Sequence, residues 1–315
     1  MNIGAVVVSH NSAADLPACL EALSGSAGLD RVVVVDNVSE DQSRQIVRAF
    51  EDPRVSLVVE EVNSGFAGGC NRGFRELGSD FDFLAFLNPD VVVAPDCLQR
   101  AVEKLVADPR LASVAPLLMR ADGETVDTVG QVLKRWTLEV DDRGYGEPPS
   151  ARLMQSAEVL AACGALAVFR RPALVSVSDA FGPWAQHYFC FWEDVEIGWR
   201  LGNSGWRIES CPEAVASHRR GGGAYEGSGP LRWRRPAELE ACIISNRWMT
   251  LIRHLHPLDL APRLPLLLFW DSGLVAAGAL RRPSLLKHLR RRWPMVRNEW
   301  RNRHRYQRRR LYDLQ

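Results

Sequence analysis

Apolar and polar positions along the first half of the chain follow two alternating periods. IGAVVVS (residues 3–9), RVVVVD (31–36), VSLVVE (55–60) and FDFLAFL (81–87) are short, nearly unbroken runs rich in branched side chains. Such runs predict strands buried on both faces. Between them, residues 15–23, 41–50, 65–77 and 96–107 carry helical patterns, the last entered through Pro95. Strands separated by single helices predict an α/β fold with a parallel sheet. Ligands of such sheets bind beyond the carboxyl ends of the strands, so chemistry is expected in SHNS, DNVSED, NSGFAGGCNRG and NPD. After a stretch rich in Asp, Gly and Pro (120–150), CGALAVFR (163–170) predicts a strand. FWEDVEIGWRLGNSG predicts a helix ending near Gly205, and WRIESC a further short strand.

Charge adds a second feature. Residues 219–315 hold 21 Lys/Arg against 7 Asp/Glu, although the whole chain has a net charge of only +1. An acidic body with a basic tail expects an anionic partner for the tail. Within the tail, LPLLLFWDSGLVAAGAL (264–280) is shorter than the ~20 residues of a membrane span. Arg253, Arg263, Arg281, Arg282 and the RRRW run at 290–293 surround it. Aromatic and basic residues around short apolar helices suit the surface of an anionic leaflet. Helices packed on the body, with arginines in water, are the other reading. No nucleic-acid module accompanies the tail, so nucleic acid is not an expected partner. The opening MNIGAVVVSHNS lacks the pattern of a secretory signal. Seven scattered cysteines without a CxxC pair suit reduced thiols. Both point to the cytoplasm, peripheral on the inner face of the membrane.

Several short stretches carry candidate chemistry. Asp90 of NPD follows a buried strand, where an acid can bind a divalent cation that holds a diphosphate; Asn-Pro-Asp is equally good turn chemistry. Asp36 is placed to accept from a nucleobase, while Ser39 or Asp41 suits capping of the next helix. The glycines of NSGFAGGCNRG allow close approach of a phosphate to a helix N-terminus, with Arg72 adding charge or simply lying in water. On a helix, Glu193 and Glu196 share a face and Asp194 points elsewhere. Asp194 is then a candidate general base, against the plainer reading of a solvated acidic face. His218 becomes a ligand candidate only beside a metal.

In order, VVVSHN, VVVVDNVSED, NSGFAGGCNRG, FLNPDVVV, CGALAVFRR, FWEDVEIGWRLGNSGWRI and PEAVASH resemble the family-2 glycosyltransferases, most closely the bacterial rhamnosyltransferase-like subgroup. The resemblance covers roughly residues 2–218. It implies a GT-A fold with a mostly parallel central sheet, a catalytic domain over 1–220 and a basic helical extension over 221–315. It further implies inverting transfer of a sugar from a nucleotide-diphosphate donor, dTDP-rhamnose as first choice, to a glycan or polyprenyl-diphosphate-linked acceptor. By the same resemblance Ser9 and Asp36 contact the nucleoside, and Asn63, Gly65 and Arg72 line the nucleotide and diphosphate. Asp90 and His218 hold Mg²⁺ or Mn²⁺, and Asn88 stands at the donor in place of the first acid of a DXD-type motif. Asp194 is the base, with Glu193 as substitute. A nucleotidyltransferase, or a degenerate sugar-nucleotide-binding protein, is the alternative.

Overall fold

The computed structural model describes residues 2–220 and 236–311. Residues 221–235, the start of the expected extension, and 312–315 lie outside the described residues. Along the chain run β1 (Ile3–Ser9), α1 (Leu16–Ser24), β2 (Leu29–Asp36), α2 (Ser43–Ala49), β3 (Val55–Val59), α3 (Gly65–Leu77), β4 (Phe83–Leu87), β5 (Val91–Val93) and α4 (Cys97–Ala107). There follow β6 (Leu111–Arg120), β7 (Val126–Thr128), β8 (Gln131–Leu133), β9 (Val140–Asp142), β10 (Leu166–Arg170), α5 (Arg171–Val177), α6 (Glu193–Asn203) and β11 (Arg207–His218). Four helices close the described chain: α7 (Ala237–His254), α8 (Pro257–Leu260), α9 (Leu264–Arg281) and α10 (Ser284–Asn302).

The main sheet has the order β3-β2-β1-β4-β10-β6-β11-β5, with β7 added on β6. Its first half is parallel, β1 pairing with β2 and β4, and β2 with β3. Its second half is mixed: β10 runs antiparallel to both neighbours, and β11 is parallel to β6 but antiparallel to β5. The unbroken apolar runs have a direct cause. Ala5, Val7, Val32 and Val34 pack on one face with Leu16, Leu20, Leu98 and Val102. Val6, Val8, Val33 and Val35 pack on the other with Ala67, Cys70 and Leu77. Each buried branched side chain contributes roughly 1.5–3 kcal/mol against an exposed one.

The glycines of α3 serve this packing. A Cβ on Gly73 would lie 2.2 Å from Val6 Cγ1, and one on Gly69 2.5 Å from Val8 Cγ1. Gly65, at φ +71°, would bring its Cβ to 2.1 Å from the Phe189 carbonyl oxygen. Their density brings a helix close to β1, so the reading of this loop as a phosphate cradle loses its main support.

The C-terminal helices pack against the body. Tyr188, Trp192, Val195 and Trp199 share one apolar cluster with Met249, Leu255, Leu267 and Val296. Asp271 ties α9 to α7 by accepting from Arg247 Nε (3.1 Å) and Trp248 Nε1 (3.1 Å). At 18 residues, α9 is long and apolar enough to cross a membrane by length and composition, and only 11% of that stretch is buried. An apolar groove of about 930 Å³ opens between α7, α9 and α10, lined by Trp248, Leu268, Val275, Trp293 and Trp300 among others.

Candidate active site

The carboxyl ends of β1, β2 and β4 lie on one edge of the sheet, because these strands are parallel neighbours. Antiparallel β10 begins on that edge, with Leu166 opposite Leu87. Strand β11 ends on it, with His218 paired to Val91. The topology therefore gathers Ser9, Asp36, Asn88, Asp90 and His218 along one rim. Asp194 joins them because its Oδ2 accepts the N–H of Gly164 at 2.9 Å, just ahead of β10.

At the β1/β2 end, Ser9 and Asp36 are register partners and almost fully buried. Asp36 Oδ1 accepts from Arg44 Nε (2.6 Å) and from the Ser39 N–H (3.1 Å). Its Oδ2, and the Ser9 hydroxyl, have no hydrogen-bond partner among the described residues. Buried polar atoms left this way invite a ligand. Asp41 takes the Ser43 N–H at the start of α2 (2.9 Å). Ser39 instead holds the Asn11 N–H (2.9 Å).

The α3 entrance is already occupied by the chain itself. Asn63 Oδ1 accepts the Gly65 N–H (2.9 Å), and the Phe189 carbonyl accepts the Ala67 N–H (3.2 Å). Asn37 Nδ2 donates to the Gly65 carbonyl (2.8 Å). Arg72 lies beside Glu60 (3.4 Å) and Glu76 (3.6 Å), paired with carboxylates instead of turned toward a phosphate. Asn63, Gly65 and Arg72 therefore lie beyond the Ser9 and Asp36 end with structural duties of their own. The Asn88 N–H donates to the Ala165 carbonyl (3.0 Å), joining β4 to the segment that holds Asp194.

At the other end, His218 Nε2 faces Asp90 Oδ1 at 3.4 Å, and its Nδ1 is 2.7 Å from Asp127 Oδ2. Burial acts to lower the His218 pKa, but the hydrogen bonds to Asp127 and Asp90 raise it to about 9. Asp127 also pairs with Arg220, and Arg220 Nη2 reaches Asp142 (3.1 Å). Gln131 Nε2 lies 3.5 Å from Asp142 Oδ1, and the Gln131 side chain favours the charged form of Asp194. A chain of paired polar groups thus runs Asp90, His218, Asp127, Arg220, Asp142, Gln131, toward Asp194. Asp127, Arg220, Asp142 and Gln131 carried no signal in the sequence reading.

These residues suit a divalent cation. Magnesium sites commonly use one or two carboxylates, with phosphate oxygens and water completing the shell. A histidine ligand characteristically ties its second nitrogen to a carboxylate, as His218 does to Asp127. Among the described residues no group of three or more His, Cys, Asp or Glu side chains forms a complete cage. A donor diphosphate would have to supply the remaining ligands. Binding through Nε2 also requires His218 to release its proton.

The three acids of α6 have separate surroundings, and none lies on a solvated acidic face. Glu196 is fully buried, bonded to Arg200 (2.9 Å), Arg253 (3.0 Å) and His254 (2.9 Å). Glu193 is 5% exposed, and its Oε2 has no partner among the described residues. Burial, and then the charge of Asp194, push its pKa well up. Asp194 is the acid of the three that keeps partial exposure. Burial raises its pKa too, opposed by the N–H groups of Gly164 and Val195 and by Gln131.

A family model described as "Glycosyl transferase family 2" matches residues 5–177. The chain is 26% identical over 212 residues to the N-acetylglucosaminyl-diphospho-decaprenol L-rhamnosyltransferase of Mycobacterium tuberculosis strain H37Rv, covering 60% of this chain and 66% of that one. The chain spans between about a third and two thirds of the length of the first curated relatives it matches, 31% and 66% for two of them. Among solved structures, GalNAc-T7 with UDP, GalNAc and Mn²⁺ superposes with a TM-score of 0.61 at 14% identity, covering 82% of this chain and 48% of that one. The Pyrobaculum calidifontis mannosyltransferase PcManGT, with GDP-Man and Mn²⁺, gives 0.53 at 18% identity, covering 99% and 85%. At these identities the likeness shows the GT-A fold alone. The family match spans more than half of the residues, and the chain belongs to glycosyl transferase family 2.

Proposed function

We propose that the protein is an inverting glycosyltransferase. It moves a sugar from a nucleoside-diphosphate donor, dTDP-rhamnose first, to a glycan or polyprenyl-diphosphate-linked acceptor in cell-envelope polysaccharide synthesis. The observation that carries this reading is the gathering of Asp90, His218 and Asp194 on the sheet edge that also holds Ser9 and Asp36. The lipid-linked acceptor is supported by the name of the mycobacterial relative.

Asp36 Oδ2 and the Ser9 hydroxyl take the nucleoside. Asp90 and His218, oriented by Asp127, would hold Mg²⁺ or Mn²⁺, which when bound offsets the charge on the leaving diphosphate. Asp194 removes the proton from the acceptor hydroxyl as that oxygen attacks opposite the leaving group. Its raised pKa moves it toward the working pH, where a general base is most effective, and such help is worth roughly 10²–10⁴-fold. The N–H groups of Gly164 and Val195 hold its two oxygens in place. Glu193, almost fully buried and with its pKa pushed well up by burial, is the poorer choice. Residues 1–220 supply the chemistry. The helices of 236–311 complete the fold and, through exposed Phe269, Leu280, Trp293 and Trp300 beside the arginines of α10, rest on the inner face of the membrane.

Thermal shift with dTDP-rhamnose, UDP-GlcNAc and GDP-mannose, each with Mn²⁺, identifies the donor, since a ligand specific to the folded state raises the melting point. With that donor, Asp194→Asn loses turnover by about 10²–10⁴-fold and keeps donor binding. Near-normal turnover in that variant removes Asp194 from the role.

A further inference from the structure

We propose that Asn246 is a positioning residue for the transfer: from α7 it fixes the backbone conformation that presents Asp194. This inference rests on Asp194 being the base.

The segment ahead of α6 is conformationally unusual. Phe189, Phe191 and Trp192 have φ of 68°, 67° and 68°. That left-handed region is disfavoured for any residue with a bulky side chain, and three aromatics adopt it within four positions. Trp192 is the N-cap residue of α6, so its conformation sets the direction in which Glu193 and Asp194 leave. A backbone of this kind persists only where its surroundings over-determine it.

Asn246 supplies that determination. It is fully buried. Its Nδ2 lies 2.9 Å from the Tyr188 carbonyl, 2.9 Å from Cys190 and 2.7 Å from Phe191. One amide nitrogen thus reaches three carbonyls within four residues of the segment. The orientation of that amide is fixed in turn. Arg292 of α10 donates to Asn246 Oδ1 at 2.5 Å, and its Nε donates to the Ser245 hydroxyl at 2.6 Å. The far side of the segment is held by α3, where the Phe189 carbonyl accepts the Ala67 N–H and Gly65 leaves no room for a Cβ. Donor-end helix, base helix and C-terminal helices therefore meet at one loop. Among the described residues no hydrogen bond joins Asn246 to a candidate substrate-binding residue, so it acts through the backbone alone.

Asn246→Asp tests this. The side chain keeps its size and loses both donors, so a packing role survives the change and a donating role does not. The expected result is a folded chain by circular dichroism, with affinity for dTDP in the presence of Mn²⁺ unchanged. Hydrogen exchange at the Gly164 and Val195 amides, which hold Asp194, becomes faster by at least about tenfold, and transfer falls by about 10²-fold, the lower range of general-base help. Exchange and transfer both within twofold of wild type overturn the proposal. If Asn246→Asp does not fold, Arg292→Gln decides instead: the same exchange pattern is expected, and a variant identical to wild type overturns the proposal. Asp194→Asn runs in parallel. Normal turnover there sinks the base assignment, while the exchange measurement still judges the Asn246 brace by itself.

Discussion

Asp127 occupies a three-residue strand with no apolar period, yet its carboxylate meets both His218 and Arg220. Burial opposes its charge, but these two partners hold its pKa below the usual carboxylate range. A second-layer carboxylate of this kind, when removed, commonly costs 10–100-fold in metal affinity. Asp127→Asn is therefore expected to weaken Mn²⁺ binding by about 10–100-fold, read by titration calorimetry with UDP present; an unchanged isotherm contradicts the orienting role. Asp90, Asp194 and His218 were legible in the sequence because each follows a strand or sits in a recognisable motif. Asp127, Gln131 and Asn246 were not, since their partners are 91, 63 and more than 50 positions away and no local pattern marks such pairs. The surroundings of Arg72 were hidden in the same way. Arg72 was assigned by its place in a motif, but its charge is taken up by Glu60 and Glu76.

Element by element, sequence and structure agree best where one period is uninterrupted. Helix α3 covers the expected 65–77, and β1 the expected 3–9. Proline hid β6 and the full length of β11. Pro116 lies inside β6, and Pro212 follows the point where WRIESC was expected to end. The pairing of β6 with β11 shifts between Cys211 and Val215, a bulge that lets β11 continue to His218. Bulges occur often beside active sites because they re-aim a strand, and this one delivers His218 to Asp90. Helix α6 is fixed on its other side by Glu196, Arg200, Arg253 and His254. Burial depresses His254 to about 4, despite the hydrogen bond to Glu196, so the folded protein holds it neutral. The unfolded chain takes up a proton near 6.5, so stability is full above that pH and falls as pH drops toward 4. The loss is on the order of 3 kcal/mol. Urea titrations at stepped pH should show this slope in wild type and a shallower one in His254→Gln; equal slopes would assign it to other groups.

For the whole molecule, the C-terminal helices do two jobs with opposite faces. One face carries Met249, Leu255 and Asn246 into the body. The other exposes α9 and the basic α10, where Lys287, Arg290, Arg291, Arg297 and Arg301 are all exposed. Each basic residue near an anionic leaflet is worth about 1 kcal/mol, and salt screens it. The full chain is expected to float with vesicles containing phosphatidylglycerol at low salt and to be released by about 0.5 M salt. Equal flotation with purely phosphatidylcholine vesicles would show that charge is not the determinant. The inward face also has a consequence for biosynthesis. A ribosome delivers residues 2–218 well before Asn246 and Arg292, at roughly 5–20 residues per second. During that interval the sheet edge has Ser9, Asp36 and its other acids, but the aromatic turn ahead of α6 lacks the contacts of Asn246. If Asn246 braces the base as proposed, a nascent or prematurely terminated chain is expected to consume no activated sugar until the last helices have emerged.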